Sequence, residues 1–553
     1  MSVHAEPIAA TSQGVVPWPE DVAERYRAEG LWAGLHLFEI FARAAAERPD
    51  AVALVDGDVR LTYAEVLARA DAGARRLRDA GLAADDRIIV QLPNTWQFVV
   101  LTLACLRAGI VPVFALPAHR ALELTSLAQV AQARALVVPS VLRGFDHREL
   151  ADTVRADVPS LVVTLVLGDA RSTDLDVDAV VAPGPERLAE PPAPSGAVAL
   201  FLLSGGTTGL PKLIARTHDD YAYNARQCGV ITGLDASTVY LVTLPAGHNF
   251  PLACPGILGT LFVGGRVVML ASPEPSRALE VIAAEGVTVT AAVPAVAQRW
   301  VDHAAEHGLT AAPLQVLQVG GSRMPDEAAR KVTAVLGCTL QQVFGMAEGL
   351  INMTRLDDPV EVITGTQGRP ISAADEIRVV DEEGADVPAG EKGLILTRGP
   401  YTPRGYYRSP EANARAFVDG WYGSGDVVEL RADGNLVVHG RAHDLINRGG
   451  EKISAEEVES LAYRVADVEL AAAVAMPDPL LGQRLCLYVQ VRPGATVVLD
   501  DVRAAMTAAG IAAFKLPERL VVIDEIPTTK VGKTDKRALR DDIARRLSLE
   551  EPA

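Results

Sequence analysis

The stretch AVALFLLSGGTTGLPK, residues 197–212, decides how this chain folds. Its first seven residues form an unbroken apolar run, as a strand reads when its sheet is buried on both faces. Ser204 and three glycines follow, Gly205, Gly206 and Gly209, with hydroxyls at Thr207 and Thr208 and a lysine at Lys212. Glycines let backbone N–H groups approach a ligand closely, and the hydroxyls and Lys212 add donors. That composition suits a polyphosphate. It is not a Walker loop, because GxxxxGK[ST] is not matched and Pro211 precedes the lysine.

Outward from this stretch the same strand–helix alternation repeats. After it come VYLVTLPAG, RVVMLAS, VTVTAAVPA, LQVLQVGG and LQQVFGMAEG, each apolar and each running into Gly, Pro or Ser. Before it, AVALVDG, YAEVLARADAGARRLRDAG and RIIVQLP alternate between residues 51 and 170, after a helical pattern near residues 35–46. Such alternation predicts α/β units with crossover helices and ligands gathered at the carboxyl ends of the strands. Residues 171–197 read as a surface connection, rich in Asp, Pro, Ala and Glu. From about residue 365 to 440 the pattern shifts to short strands with Gly and Pro turns, EIRVVDEEG, GLILTRGP and NLVVHGR, which predict a small twisted β unit. A compact α/β segment follows. The expected class is α/β, with a large N-terminal domain of doubly wound subdomains plus the β unit over residues 1–440. A small mobile C-terminal α/β domain is expected over 441–553.

Composition narrows the functions. The chain has 553 residues, too many for one hydrophobic core, and its 49% apolar and 22% charged residues are ordinary for a globular protein. A net charge of −18 argues against nucleic acid as the main partner. Five cysteines, Cys105, Cys228, Cys254, Cys338 and Cys486, show no CxxC spacing, so neither a disulfide framework nor a zinc site is expected, and a reducing cytoplasm fits. The N-terminus has no signal-peptide pattern, and no apolar run reaches the ~18–20 residues of a membrane span.

Four more motifs carry chemistry. FGMAEG (344–349) places Glu348 at a strand tip, where a carboxylate suits Mg²⁺ bound to phosphates. YGSGD (422–426) offers Asp426 to a pair of ribose hydroxyls. GRAHDLINRGGEK (440–452) and PTTKVGK (527–533) lie toward the C-terminus, the second with Lys533 on a Gly-bearing loop as a mobile point charge. Singly, each admits a plainer reading: a flexible turn, a solvated glutamate, a β-turn aspartate, a solvated lysine.

Together and in this order, over roughly residues 30–540, the five motifs resemble the ANL superfamily of adenylate-forming enzymes. The resemblance implies ATP and Mg²⁺ as cofactors. Residues Ser204, Gly205, Gly206, Thr207, Thr208, Gly209 and Lys212 would bind phosphates, with Gly345, Met346 and Ala347 beside the nucleotide. Glu348 would hold the metal, and Asp426 and Arg441 the ribose. Lys533 would bridge the substrate carboxylate and the developing adenylate. The C-terminal domain would pivot at His443, presenting Lys533 in one pose and the thiol-tunnel residues Gly449 and Gly450 in the other. The carboxylate would attack the α-phosphate, pyrophosphate would leave, and a thiolate would then attack the mixed anhydride. Positioning and charge neutralisation carry most of such a rate. The chain departs from the family pattern twice, with Ala347 where many members carry Thr, as the aryl-acid subgroup also does, and His443 in place of Lys or Asp.

The stretch AGHNFPLACPG (246–256) points to the acid. Amino-acid-activating relatives use an Asp here to pair the substrate ammonium. Asn249 is neutral, and an unpaired buried ammonium is costly. The stretch is similar to the stand-alone aryl-acid AMP ligases of siderophore pathways. In that likeness His248, a catalytic candidate, and Phe250 shape the site, and Asn249 bonds the 2-hydroxyl and carboxylate. Cys254, Gly320, Ser322, Val343 and Ile351 line the ring pocket. Dihydroxybenzoate enzymes carry Ser where Cys254 stands. A thiol is larger and a weak donor, so salicylate is expected. A pocket that merely lacks a partner rejects an added hydroxyl by only ~10²-fold, so 2,3-dihydroxybenzoate stays open. The expected acceptor is the phosphopantetheine thiol of an aryl carrier protein, in a monomer or homodimer. An aryl-CoA ligase would share every motif. A non-catalytic nucleotide-binding relative is disfavoured by Lys212, Glu348, Asp426 and Lys533.

Overall fold

The structure, a computed structural model, describes residues 9–204, 210–321, 324, 326–381, 383–441, 445–492, 494–527 and 535–550. The strand Val198–Ser204 lies in a seven-stranded sheet, between Lys212–Thr217 and Val111–Phe114. It runs parallel to the latter and antiparallel to Lys212–Thr217, with Ser204 opposite Lys212. The glycine-rich stretch therefore joins two strands of a hairpin instead of leading from strand to helix.

A second sheet of nine strands is built around parallel neighbours, including Val239–Val242, Val289–Ala292, Val316–Gly320 and Thr339–Met346. Its unbroken apolar strands are explained by burial on both faces. Val239 and Leu241 enter one core with the helices Pro275–Glu285 and Pro294–His307, while Tyr240 and Val242 enter another. That second core also receives Ile88, Val90, Leu200 and Leu202 of the seven-stranded sheet, whose opposite face sends Ile89 and Phe201 into a third cluster. The central core thus glues two sheets back to back. Helices start where the sequence caps them: Thr62 with Glu65, and Thr217 with Asp220, each form reciprocal capping boxes.

Residues 376–441 supply the small antiparallel β unit, with Glu376–Val380, Lys392–Arg398, Trp421–Leu430 and Leu436–Arg441. Two further clusters, drawn from residues 446–543, surround a separate five-stranded sheet. Among the described residues, no helix is long and apolar enough to cross a membrane. All five cysteines are buried and unpaired.

Candidate active site

Strand tips from both large sheets, the β unit and the C-terminal segment enclose a cavity of about 1060 Å³. A single small-ligand pocket needs only ~300–1,000 Å³, so there is room for a nucleotide and a second substrate together.

On one wall the strands Val316–Gly320 and Thr339–Met346 end side by side, with Gly320 opposite Val343. Glu348, just beyond, is buried, and its Oε1 accepts hydrogen bonds from the Ser204 hydroxyl and, at 2.9 Å, from the Tyr406 hydroxyl. Lys212 Nζ lies 5.1 Å from the centre of the Tyr406 ring. Both bonds are from neutral donors, so neither brings a positive charge to the carboxylate. Among the described residues no group of three or more His, Cys, Asp or Glu could hold a metal. A metal at Glu348 would therefore complete its shell with phosphate oxygens and water, which suits Mg²⁺. Arg216 buttresses the loop from behind: fully buried, it pairs with Asp220 at 2.6 Å and donates to the Ala347 carbonyl at 3.1 Å.

The opposite wall is the short helix Asn249–Ala253. His248 caps it, its Nδ1 accepting from the Phe250 N–H at 3.3 Å. Burial, and next the positive charge of Lys452, push the His248 imidazolium down to about 4, so the ring is neutral at pH 7. Asn249 Oδ1 accepts from the Tyr221 hydroxyl at 2.9 Å, which leaves the amide NH₂ for an incoming acceptor. Cys254 is buried and lines the same cavity. Asn224 donates to the Ala253 carbonyl at 2.7 Å and lies 3.9 Å from Cys254 Sγ. Gly320 completes the wall, because a Cβ there would stand 2.9 Å from the Val343 carbonyl and 3.1 Å from the Phe250 ring. Only glycine lets strand tip and aromatic ring meet so closely.

At the far end, Asp426 faces Arg441 across the ladder and accepts from the Ser424 hydroxyl at 2.6 Å. The C-terminal segment closes the cavity with Gly449, Gly450 and Lys452. Asn447 Nδ2 donates to the Gly321 carbonyl at 3.1 Å, and a Cβ on Gly450 would come within 2.7 Å of Val293.

The cavity brings together most residues expected from the sequence. Ser204, Lys212, Gly345, Met346, Ala347, Glu348 and Asp426 line it, as do His248, Asn249, Phe250, Cys254, Gly320, Val343 and Ile351. Gly205, Gly206, Thr207, Thr208, Gly209, Ser322, His443 and Lys533 lie outside the described residues, and Arg441 is described through its backbone alone. Tyr406, Tyr221, Asn224, Arg216 and Lys452 were not anticipated. Lys452 sits inside a quoted motif; the other four belong to stretches with no chemical pattern.

Residues 41–407 match the family model described as AMP-binding enzyme, and residues 457–533 match the AMP-binding enzyme C-terminal domain. The chain is 58% identical to a salicylyl-CoA synthase / salicylate adenylyltransferase of a Streptomyces species, over 96% of this chain and 98% of that one. It is 46% identical to a salicyl-AMP ligase / salicyl-S-ArCP synthetase of Mycobacterium tuberculosis, over 95% and 94%. Among solved structures, apo MbtA of Mycobacterium smegmatis superposes with a TM-score of 0.76 at 45% identity, covering 96% of this chain and 99% of that one.

Proposed function

We propose that this chain, which belongs to the AMP-binding enzyme family, activates salicylate with ATP as salicyl-AMP and passes the acyl group to a phosphopantetheine thiol. The observation that carries the reading is a single cavity whose walls hold Asn249 and Cys254 on one side and Glu348, Lys212 and Asp426 on the other. A neutral, apolar-backed ring pocket thus opens directly onto a phosphate and ribose site.

In the first step a carboxylate oxygen of the acid attacks the α-phosphorus, the bond to the bridging oxygen breaks, and pyrophosphate leaves. Lys212 and the loop 205–209 hold the polyphosphate, and Asp426 with Arg441 holds the ribose. Glu348 would hold Mg²⁺, which supplies charge neutralisation to the phosphates when bound. The Asn249 NH₂ faces the carboxylate and 2-hydroxyl region, while neutral His248 adds no charge that would compete with the acid. Lys533 bridges the carboxylate and the forming adenylate. In the second step the thiolate attacks the acyl carbon, the bond to AMP breaks, and AMP departs.

The C-terminal unit beginning at Arg441 pivots near His443 between the steps. Gly449 and Gly450 on the cavity lining support reading the arrangement described as the pose of the thiol step. Cys254 supports salicylate over 2,3-dihydroxybenzoate, as do the names of both relatives. Coenzyme A as the thiol is supported by the 58% relative, and an aryl carrier protein by the mycobacterial one. Five buried free cysteines support a reducing cytoplasm.

The test is ATP–pyrophosphate exchange with salicylate, 2,3-dihydroxybenzoate, benzoate and a set of amino acids, followed by acyl transfer to coenzyme A and to a holo aryl carrier protein. Exchange strongest with salicylate is expected. Exchange with no aryl acid would refute the pocket reading, and exchange with nothing would refute adenylation itself.

A further inference from the structure

At the edge of the cavity, where Lys515 and Glu457 belong to its lining, a buried ionic contact ties the C-terminal segment to the body of the protein. Glu123 lies in the first turn of the helix Ala121–Ala131, and its side chain is fully buried. Its Oε2 accepts from the Arg120 N–H of its own helix start, at 3.1 Å. Its Oε1 is spent entirely on the other unit, accepting from the Ala512 N–H at 3.1 Å and from Lys515 Nζ at 3.3 Å. Lys515 also pairs with Glu457 at 2.9 Å, and its side chain is only 6% exposed. Around this triad the surfaces fit closely. Leu122 packs into the C-terminal hydrophobic cluster, and a Cβ on Gly510 would stand 3.2 Å from the Leu122 nitrogen.

A surface ion pair would say little about function. A pair this buried is different, because removing one partner while the two surfaces stay together leaves the other charge buried without its counterion. Glu123 and Lys515 are 392 positions apart in the chain, on opposite sides of the segment 441–444. Any rotation about that segment pulls Lys515 and Ala512 off Glu123. The same rotation withdraws Gly449, Gly450 and Lys452 from the cavity, since they ride on the same unit. On the two-pose reading the contact exists only in the arrangement that puts Gly449 and Gly450 at the cavity.

We propose that Glu123 and Lys515 are positioning residues for acyl transfer: their buried contact holds the C-terminal unit in the pose that presents Gly449 and Gly450 to the acyl-adenylate. This inference rests on the two-pose reading above. It assigns the pair no part in binding ATP or the acid. Its weight falls on one half-reaction only, which a residue needed merely for folding cannot imitate.

The experiment compares wild type with Glu123→Gln and, separately, Lys515→Met in the full chain. Glu123→Gln keeps the side-chain length and one acceptor oxygen, which can stay with the Arg120 N–H at the helix start while the amide NH₂ replaces the acceptor that faces Ala512 and Lys515. Two rates are read: ATP–pyrophosphate exchange with salicylate, and single-turnover transfer from preformed salicyl-AMP to coenzyme A or holo aryl carrier protein, whichever wild type uses. The expected result is exchange within about twofold of wild type and transfer slowed about tenfold or more in both variants. Equal slowing of both half-reactions, or no slowing of either, overturns the proposal. Wild type inactive in exchange would instead bring down the functional reading itself, so the two failures are distinguishable.

Discussion

Replacing Cys254 by Ser tests the reading of the ring pocket at a single atom. The thiol is 3% exposed, and its polar neighbours include Asn224 Nδ2 at 3.9 Å, a donor, and the Cys228 thiol. A serine hydroxyl in that place accepts from Asn224 and keeps its own proton to give away. With 2,3-dihydroxybenzoate bound, that proton has the ring 3-hydroxyl as acceptor, a neutral hydrogen bond worth about 0.5–1.5 kcal/mol net. At ~1.4 kcal/mol per tenfold, dihydroxybenzoate gains about two- to tenfold in kcat/KM. With salicylate bound, the same hydroxyl is buried against an unsubstituted ring edge with only the weakly accepting Cys228 sulfur beside it, a poorly met donor costing about 1–3 kcal/mol. The two effects act in opposite directions, so the specificity ratio should swing toward dihydroxybenzoate by at least about tenfold. The assay is kcat/KM in ATP–pyrophosphate exchange with each acid, for wild type and Cys254→Ser. A ratio that stays within about twofold would refute the reasoning, because it would mean the side chain at 254 does not read ring position 3.

Three further outcomes are expected. Lys533→Ala should abolish ATP–pyrophosphate exchange while leaving transfer from supplied salicyl-AMP largely intact; full exchange in this variant would remove Lys533 from the mechanism. Arg216→Met should destabilise the fold by about 3–5 kcal/mol, since it leaves Asp220 buried without its cation, and a thermal or urea melt reads the loss. Burial pushes the Asp375 carboxyl up from 3.8 to about 8, against the lowering effect of the Tyr401 hydroxyl, which donates to it at 2.6 Å. Because the folded value lies above the unfolded one, this group favours the fold most below 3.8 and loses that contribution progressively as pH rises to about 8. Asp375→Asn should therefore raise the melting temperature relative to wild type more at about pH 8 than at about pH 5; an equal shift at both would show that the wild-type group does not titrate in that window.

The fold was legible where one physical signal was sufficient. Unbroken apolar strands such as residues 316–320 mark a sheet covered on both sides, and the alternate partition of residues 239–242 between two cores is the reason. Short Gly- and Pro-punctuated strands marked the β unit over 376–441. What the chain did not disclose locally was the back-to-back pairing of the two large sheets. That pairing depends on one central core whose members are scattered from Ala23 to Leu436. The site follows the same division. Glu348, Lys212 and Asp426 stand in short motifs whose residue types already imply phosphate, ribose and metal. Tyr406 and Asn224 act by contact alone, one fixing a carboxylate that lies 58 positions away and the other backing a thiol 30 positions away. No local pattern can announce a residue whose task is set by what folds against it.

The arrangement of the cavity also bears on the movement proposed for the C-terminal unit. Its acid wall is fixed: Asn249 is tied to Tyr221, Ala253 to Asn224, and the Gly320 tip lies against the Phe250 ring. Its metal wall is fixed as well, with Glu348 held by Ser204 and Tyr406 and the loop braced by Arg216. The remaining wall, built from residues 447–452, rests on the hydrogen bond from Asn447 to Gly321, the close approach of Gly450 to Val293 and the contact at Glu123. Two chemically opposed demands meet there. Adenylation needs a positive charge against the carboxylate and α-phosphate, whereas transfer needs an open path for a thiol to the same acyl carbon. A rigid wall could satisfy only one. With both substrate-binding walls held by buried hydrogen bonds inside the body of the protein, the element to exchange between the two steps is the wall carried on a separate unit, and that is the C-terminal one.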